Sequence, residues 1–130
     1  ADEQAEARQL RASANSELGN IDAAVADWQT LASEPRNLFG AQASISLAQH
    51  YFDNKDYGKA ENVLNALIDS GTPHSYWLAR GFILLSDVLA AQGNNFEARE
   101  YLESLKGNYP GSEQEIFDMI NQRLSSLKEN

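Results

Sequence analysis

Three stretches of the chain carry the same punctuation: Gly19-Asn20-Ile21-Asp22-Ala23-Ala24, Lys55-Asp56-Tyr57-Gly58-Lys59-Ala60 and Gly93-Asn94-Asn95-Phe96-Glu97-Ala98. Each is a turn followed by an alanine, and the alanines stand 36 residues apart from Ala24 to Ala60 and 38 from Ala60 to Ala98. Self-similarity at a spacing of about 20 to 50 residues marks an array of repeated units, each too small to bury its own apolar face.

Working outward from each alanine, a large apolar residue follows four positions on, at Trp28, Leu64 and Leu102, and another three later, at Leu31, Leu67 and Leu105. That spacing lines one face of a helix. A proline then closes each unit, at Pro35, Pro73 and Pro110, where a residue without an N–H readily stops a helix. Ahead of each turn lies an earlier helix in which a small residue allows close approach of its neighbour. The second unit reads Leu47-Ala48 and then Tyr51, the third reads Phe82, Leu85, Ser86, Leu89, and the first reads Arg8, Arg11, Ala12, Asn15, keeping only the small residue.

In these residues the chain resembles the tetratricopeptide repeat family, whose pattern of W-x2-L-G-x2-Y, then A-x3-F, then P recurs about every 34 residues. The resemblance runs over roughly residues 5 to 112, with Lys55 standing where the turn glycine is usual. It implies an all-α fold: a right-handed superhelical solenoid of three helix-turn-helix repeats with a closing helix, about seven helices in one domain over 1–130. The units are placed at about 5–36, 38–73 and 76–110, and the closing helix at 112–128. Loose repeats and an acidic balance are similar to those of bacterial envelope-associated repeat proteins, which implies the C-terminal part of a bacterial protein and assigns no compartment.

Ser112-Glu113-Gln114-Glu115 reads as a capping box that starts the last helix, with an apolar stripe of Ile116, Ile120, Leu124 and Leu127. Asp118, Gln122, Arg123 and Ser126 are expected on its outer side, as a solenoid end requires. The other end is weaker. Residues 1 to 18 offer a thin stripe of Ala7, Leu10, Ala14 and Leu18 with Arg8 and Arg11 among them, a poor cap, so either further repeats precede it or the edge drives self-association. A start at Ala1 without methionine fits an excised piece of a longer protein.

Composition bounds the partners. With 19 acidic against 10 basic residues the net charge is -9, which repels a phosphate backbone and an anionic membrane surface alike. No apolar run approaches the roughly 18 residues of a spanning helix. Cysteine is absent, which removes disulfides and thiolate metal sites and leaves the compartment open. His50 and His74 fall in different elements and are read as capping, packing or surface residues, so neither a metal nor a cofactor is expected. The chain lacks G-x-S-x-G, P-loop, G-x-G-x-x-G and H-E-x-x-H motifs, and Glu97, Glu100 and Glu103 read as a solvated helix face, so no catalysis is expected.

The expected function is a scaffold that binds a peptide or helix of a protein partner. The resemblance implies a concave face lined by the first helix of each unit: Gln42, Ile45, Gln49, Phe52 and Asp53 from the second and Arg80, Ile83, Asp87 and Ala90 from the third, continued by Glu6, Gln9, Ser13 and Glu17. Mixed apolar and charged groups suit such a ligand, while Ile45, Ile83 and Phe52 equally suit packing between units. Family members that clamp a C-terminal carboxylate use lysine, arginine and asparagine on this face. Here only Arg80 corresponds, beside Gln9, Ser13, Ser46 and Leu84, so that mode is not expected. Tyr76 and Trp77 are read as packing across the repeat junction. The alternative function is a structural C-terminal segment of a longer solenoid, with an oligomerisation role and no ligand of its own.

Overall fold

Every regular element among residues 2–127, the residues that the computed structural model describes, is an α-helix. In order they are α1 (Asp2–Glu17), α2 (Ile21–Ala32), α3 (Leu38–Asp53), α4 (Tyr57–Asp69), α5 (Ser75–Ala91), α6 (Asn95–Asn108) and α7 (Gln114–Leu127). Ala1 and residues 128–130, the ends of the expected domain, lie outside the described residues.

The turns after α1, α3 and α5 are one turn built three times. Gly19, Lys55 and Gly93 take the left-handed conformation at φ 85°, 62° and 86°. The next N–H then reaches back across the helix end, from Asn20 to the Asn15 carbonyl at 2.7 Å, from Asp56 to that of Tyr51 at 2.8 Å and from Asn94 to that of Leu89 at 2.9 Å. These bonds satisfy carbonyls that a helix end leaves orphaned. Lys55, despite its Cβ, makes the same turn as the two glycines. Each turn launches the even-numbered helix with a fully buried alanine, Ala24, Ala60 or Ala98, whose N–H donates to the carbonyl of Asn20, Asp56 or Asn94.

Successive helices pack on one another, and α1 also touches α3, α3 touches α5 and α5 touches α7. The odd helices therefore form a continuous layer backed by the even ones. The larger core runs from α3 to α7 around Leu64, Leu67, Ile83, Leu102, Ile116 and Ile120; a smaller one joins Ala12, Ala24, Trp28 and Leu31 to Ala43 and Leu47 of α3. Gly40 fixes the entry of α3. A Cβ there would stand 2.7 Å from the Leu31 carbonyl oxygen and closer still to that of Glu34, so the helix passes against the end of α2 by having no side chain.

Arg8 and Arg11, which break the apolar pattern of α1, reach over to Asp27 of α2. Arg11 Nε and Nη2 donate to the two carboxylate oxygens at 2.8 and 2.6 Å, and Arg8 Nη1 lies 3.6 Å away. Asp27 is buried. The hydrogen bond from Arg11 holds its carboxyl below the usual range against the opposing pull of desolvation, and raises the Arg11 pKa in turn.

At the other end α7 lays Ile116, Ile120 and Leu127 into the larger core and keeps Asp118, Gln122 and Ser126 exposed. Arg123 departs from the expected outer side: it turns in to Asp87 of α5 at 3.2 Å. The helix begins later than the capping-box spacing expects, at Gln114. Glu113 stands at the cap, its carbonyl accepting the Ile116 N–H at 3.1 Å and its carboxylate the Tyr109 hydroxyl at 2.7 Å.

Candidate functional site

The face expected from the sequence divides. On α3, Gln49 and Asp53 are exposed and joined by a 2.8 Å hydrogen bond, and Gln42 is half-buried. Phe52 leans on the larger core with its ring 5.8 Å from that of Tyr57. On α5, the Arg80 guanidinium lies 5.8 and 5.7 Å from the ring centres of Tyr76 and Trp77 and donates to the Tyr76 hydroxyl at 3.1 Å. Tyr76 and Trp77 are half-buried against the larger core.

Ile45 and Ile83 do not belong to a binding face. They are 7% and 1% exposed and sit in the larger core. The cause is the direct contact between consecutive odd helices: Ile45 Cδ1 lies 3.8 Å from where a Cβ on Gly81 would stand, and Ile83 shares its cluster with Ile116 and Ile120 of α7. Asp87 is likewise engaged, by Arg123, and Ala90 lies beside α7 in a small hollow with Gln122, Arg123 and Leu127. On α1, Glu6, Ser13 and Glu17 are exposed, whereas the Gln9 side-chain oxygen is buried and unpartnered among the described residues. Between α1, α2 and α3 lies a hollow of about 320 Å³ of mixed character, lined by Ser16, Ile21, Trp28, Ser46, Gln49, His50 and Asp53.

The apolar surface lies elsewhere. Between α5 and α6 a groove of about 420 Å³ is lined by Leu78, Phe82, Tyr101, Leu105, Tyr109 and Pro110, with Ser75, Ser104 and Asn108 among its polar residues. The Phe82 and Tyr101 rings stand 5.8 Å apart and Tyr101 is 37% exposed. Burial, then the bond to Glu113, pushes the Tyr109 hydroxyl up to about 12, so it remains a donor and secures the loop before α7. The Glu113 carboxyl is lowered by the same bond.

Sequence reading missed this groove because Phe82 and Leu105 were assigned to repeat packing. A signal was nevertheless present. An aromatic residue opens α3 and α5 at matching positions, Phe39 packing on the smaller core and Trp77 on the larger. One repeat further on, the start of α7 reads Glu113-Gln114-Glu115, with no bulky group to offer the hairpin before it.

The two histidines stay apart. His50 lies against Tyr51 and 3.2 Å from the Asn54 side-chain amide, and His74 precedes α5. Among the described residues no three histidine, cysteine or acidic side chains come together as a metal site, and no helix is long and apolar enough to cross a membrane.

Residues 76–112, which span α5, α6 and the start of the loop to α7, match the family model described as tetratricopeptide repeat. No curated protein and no solved structure matches the chain. That one unit matches the tetratricopeptide repeat model directly, and the two hairpins before it repeat its turn and its buried alanine.

Proposed function

We propose that this chain is a non-catalytic scaffold for a protein partner, and that it receives a bulky apolar side chain of a peptide or helix in the α5–α6 groove. The observation that carries this reading is the groove itself: an open, predominantly apolar cleft walled by Phe82 and Tyr101. Aromatic groups with partial exposure are the usual anchors of protein interfaces. We read the units as 5–36, 38–73 and 76–110, closed by 112–128, which puts the groove in the last unit. The odd-helix face, stripped of Ile45 and Ile83, keeps Gln42, Gln49, Phe52, Asp53 and Arg80 as polar and edge contacts.

Panning a random peptide library on the immobilised chain and measuring the selected peptides by fluorescence anisotropy tests this. Tyr101→Glu, at a position exposed enough to leave the fold intact, weakens binding by about tenfold or more, while Gln49→Ala and Arg80→Ala leave it unchanged. The opposite pattern moves the site to the odd-helix face, and a library that yields no binder removes the peptide-scaffold reading.

A further inference from the structure

The walls of the α5–α6 groove differ from the same positions in the two earlier units. Stepping back 38 and then 36 residues carries Phe82 to Ser44 and Arg8, and Tyr101 to Val63 and Asp27. In the first unit Arg8 and Arg11 close on Asp27, and in the second Ser44 is buried and Val63 packs against both cores. In the third two rings stand there, 5.8 Å apart, with Tyr101 exposed along the wall.

Both ends of this groove carry negative charge. Glu97 is exposed one helical turn before Tyr101, on the same face of α6 and about 6 Å away along the helix axis. At the other end, about 12 Å beyond Tyr101, Tyr109 donates to the exposed Glu113 at 2.7 Å. Glu113 and the equally exposed Glu115 both oppose ionisation of that hydroxyl, and the bond from Tyr109 favours the charged form of Glu113. The arginine and lysine residues of the two helices are engaged or face away. Arg80 is held over Tyr76 and Trp77, and Arg99 donates to the Leu127 carbonyl at 2.8 Å. Lys106 stands about 140° around α6 from Tyr101. With a net charge of -9, the chain as a whole adds to the field of these carboxylates.

Taking the groove as the site of binding, we infer that its occupant is a cationic peptide segment, in which one bulky apolar side chain seated against Phe82 and Tyr101 is flanked on both sides by lysine or arginine. An extended chain advances about 3.3 Å per residue. A ligand lying along the groove therefore brings its second residue from the anchor beside Glu97 and, on the other side, about its fourth beside Glu113 and Glu115. Lysine and arginine keep their stems on apolar walls while their heads reach such carboxylates. An acidic segment with the same anchor is repelled at both ends.

The test pans a random peptide library on the chain and keeps those peptides whose binding Tyr101→Ala weakens by about tenfold or more. These are ligands of the groove, since alanine removes the ring without adding charge. Fluorescence anisotropy compares each labelled peptide with a version in which every lysine and arginine is glutamine. It is run at about 0.05 M and about 0.5 M sodium chloride, between which the screening length falls about threefold. The expected ligands carry basic residues on both sides of the anchor, and exchange to glutamine or the higher salt weakens them by about tenfold, as for a few exposed charge pairs. A Glu97→Lys, Glu115→Lys chain, with the helicity and urea midpoint of the parent, loses a similar factor. Groove ligands without an excess of basic residues, bound equally at both salt concentrations, overturn the cationic partner and leave the groove standing. An empty library, or ligands all indifferent to Tyr101→Ala, removes the groove as the site and the cationic partner with it.

Discussion

Replacing Gly40 with alanine adds one methyl group where α3 passes against the end of α2. Its Cβ would lie 2.7 Å from the Leu31 carbonyl oxygen and closer to that of Glu34, where real side chains essentially never come within 3.0 Å. Neither oxygen is free to retreat: Leu31 accepts the Glu34 N–H and Glu34 accepts the Asn37 N–H, both at 3.1 Å. Asn37 in turn caps α3, its side chain accepting the Phe39 N–H at 2.9 Å. Relief therefore disturbs the cap, the α2–α3 link and the seating of α3 together. Overpacking costs about 1–3 kcal/mol, and with rigid backbone on the receiving side Gly40→Ala belongs at the upper end, about 3 kcal/mol. At a urea dependence of about 1–3 kcal/mol per molar, the midpoint falls by on the order of 1 to 3 M. Gly58→Ala is the control, because nothing lies within 4 Å of a Cβ there; helix propensity makes it neutral or stabilising by up to about 1 kcal/mol. Urea melts followed by far-UV circular dichroism compare the two. Should Gly40→Ala match Gly58→Ala within about 0.5 kcal/mol, the α2–α3 crossing is loose and the close-approach reasoning is wrong.

Lys55→Gly relieves a left-handed turn residue at φ 62° and raises stability by about 1 kcal/mol; a lower melting temperature contradicts this. The Asp27 carboxyl is held below its ordinary value of 3.8, so its support of α1 is in place above that pH and is lost as pH falls through the depressed value. Trp28 fluorescence accordingly shows the first hairpin loosening in acid, while Asp27→Asn is loose already at neutral pH and flat across that window; matching profiles for the two chains refute the assignment. A double-mutant cycle on Asp87→Ala and Arg123→Ala yields a coupling of about 1 kcal/mol for a half-buried pair, and a coupling near zero means α7 is held by its apolar stripe alone.

Turn placement, the buried alanines and the apolar stripes of the even helices were legible because they are local, each decided within a few residues of the next. The same locality explains what was not. An odd helix in this array touches its own partner, the hairpin before and the helix after, which leaves a narrow outward arc, and periodicity does not say which arc that is; Ile45 and Ile83 were placed on it and lie in the core. In α1, Arg8 and Arg11 stand at positions that carry packing side chains in the later units, and their partner Asp27, 16 residues beyond Arg11, is not signalled by any local spacing. The α5–α6 groove depends on what the next helix fails to supply, a comparison between units that no single helix contains.

Tyr51 of α3 and Val63 of α4 pack against both cores and join them. In an array where each unit leans on its neighbours, such a seam is where cooperative opening divides. Amide hydrogen exchange then falls into two tiers. The protons of α1 and α2 exchange through a partial opening that parts Trp28 and Leu31 from α3, while those around Leu64, Ile83 and Leu102 wait for the whole chain to unfold.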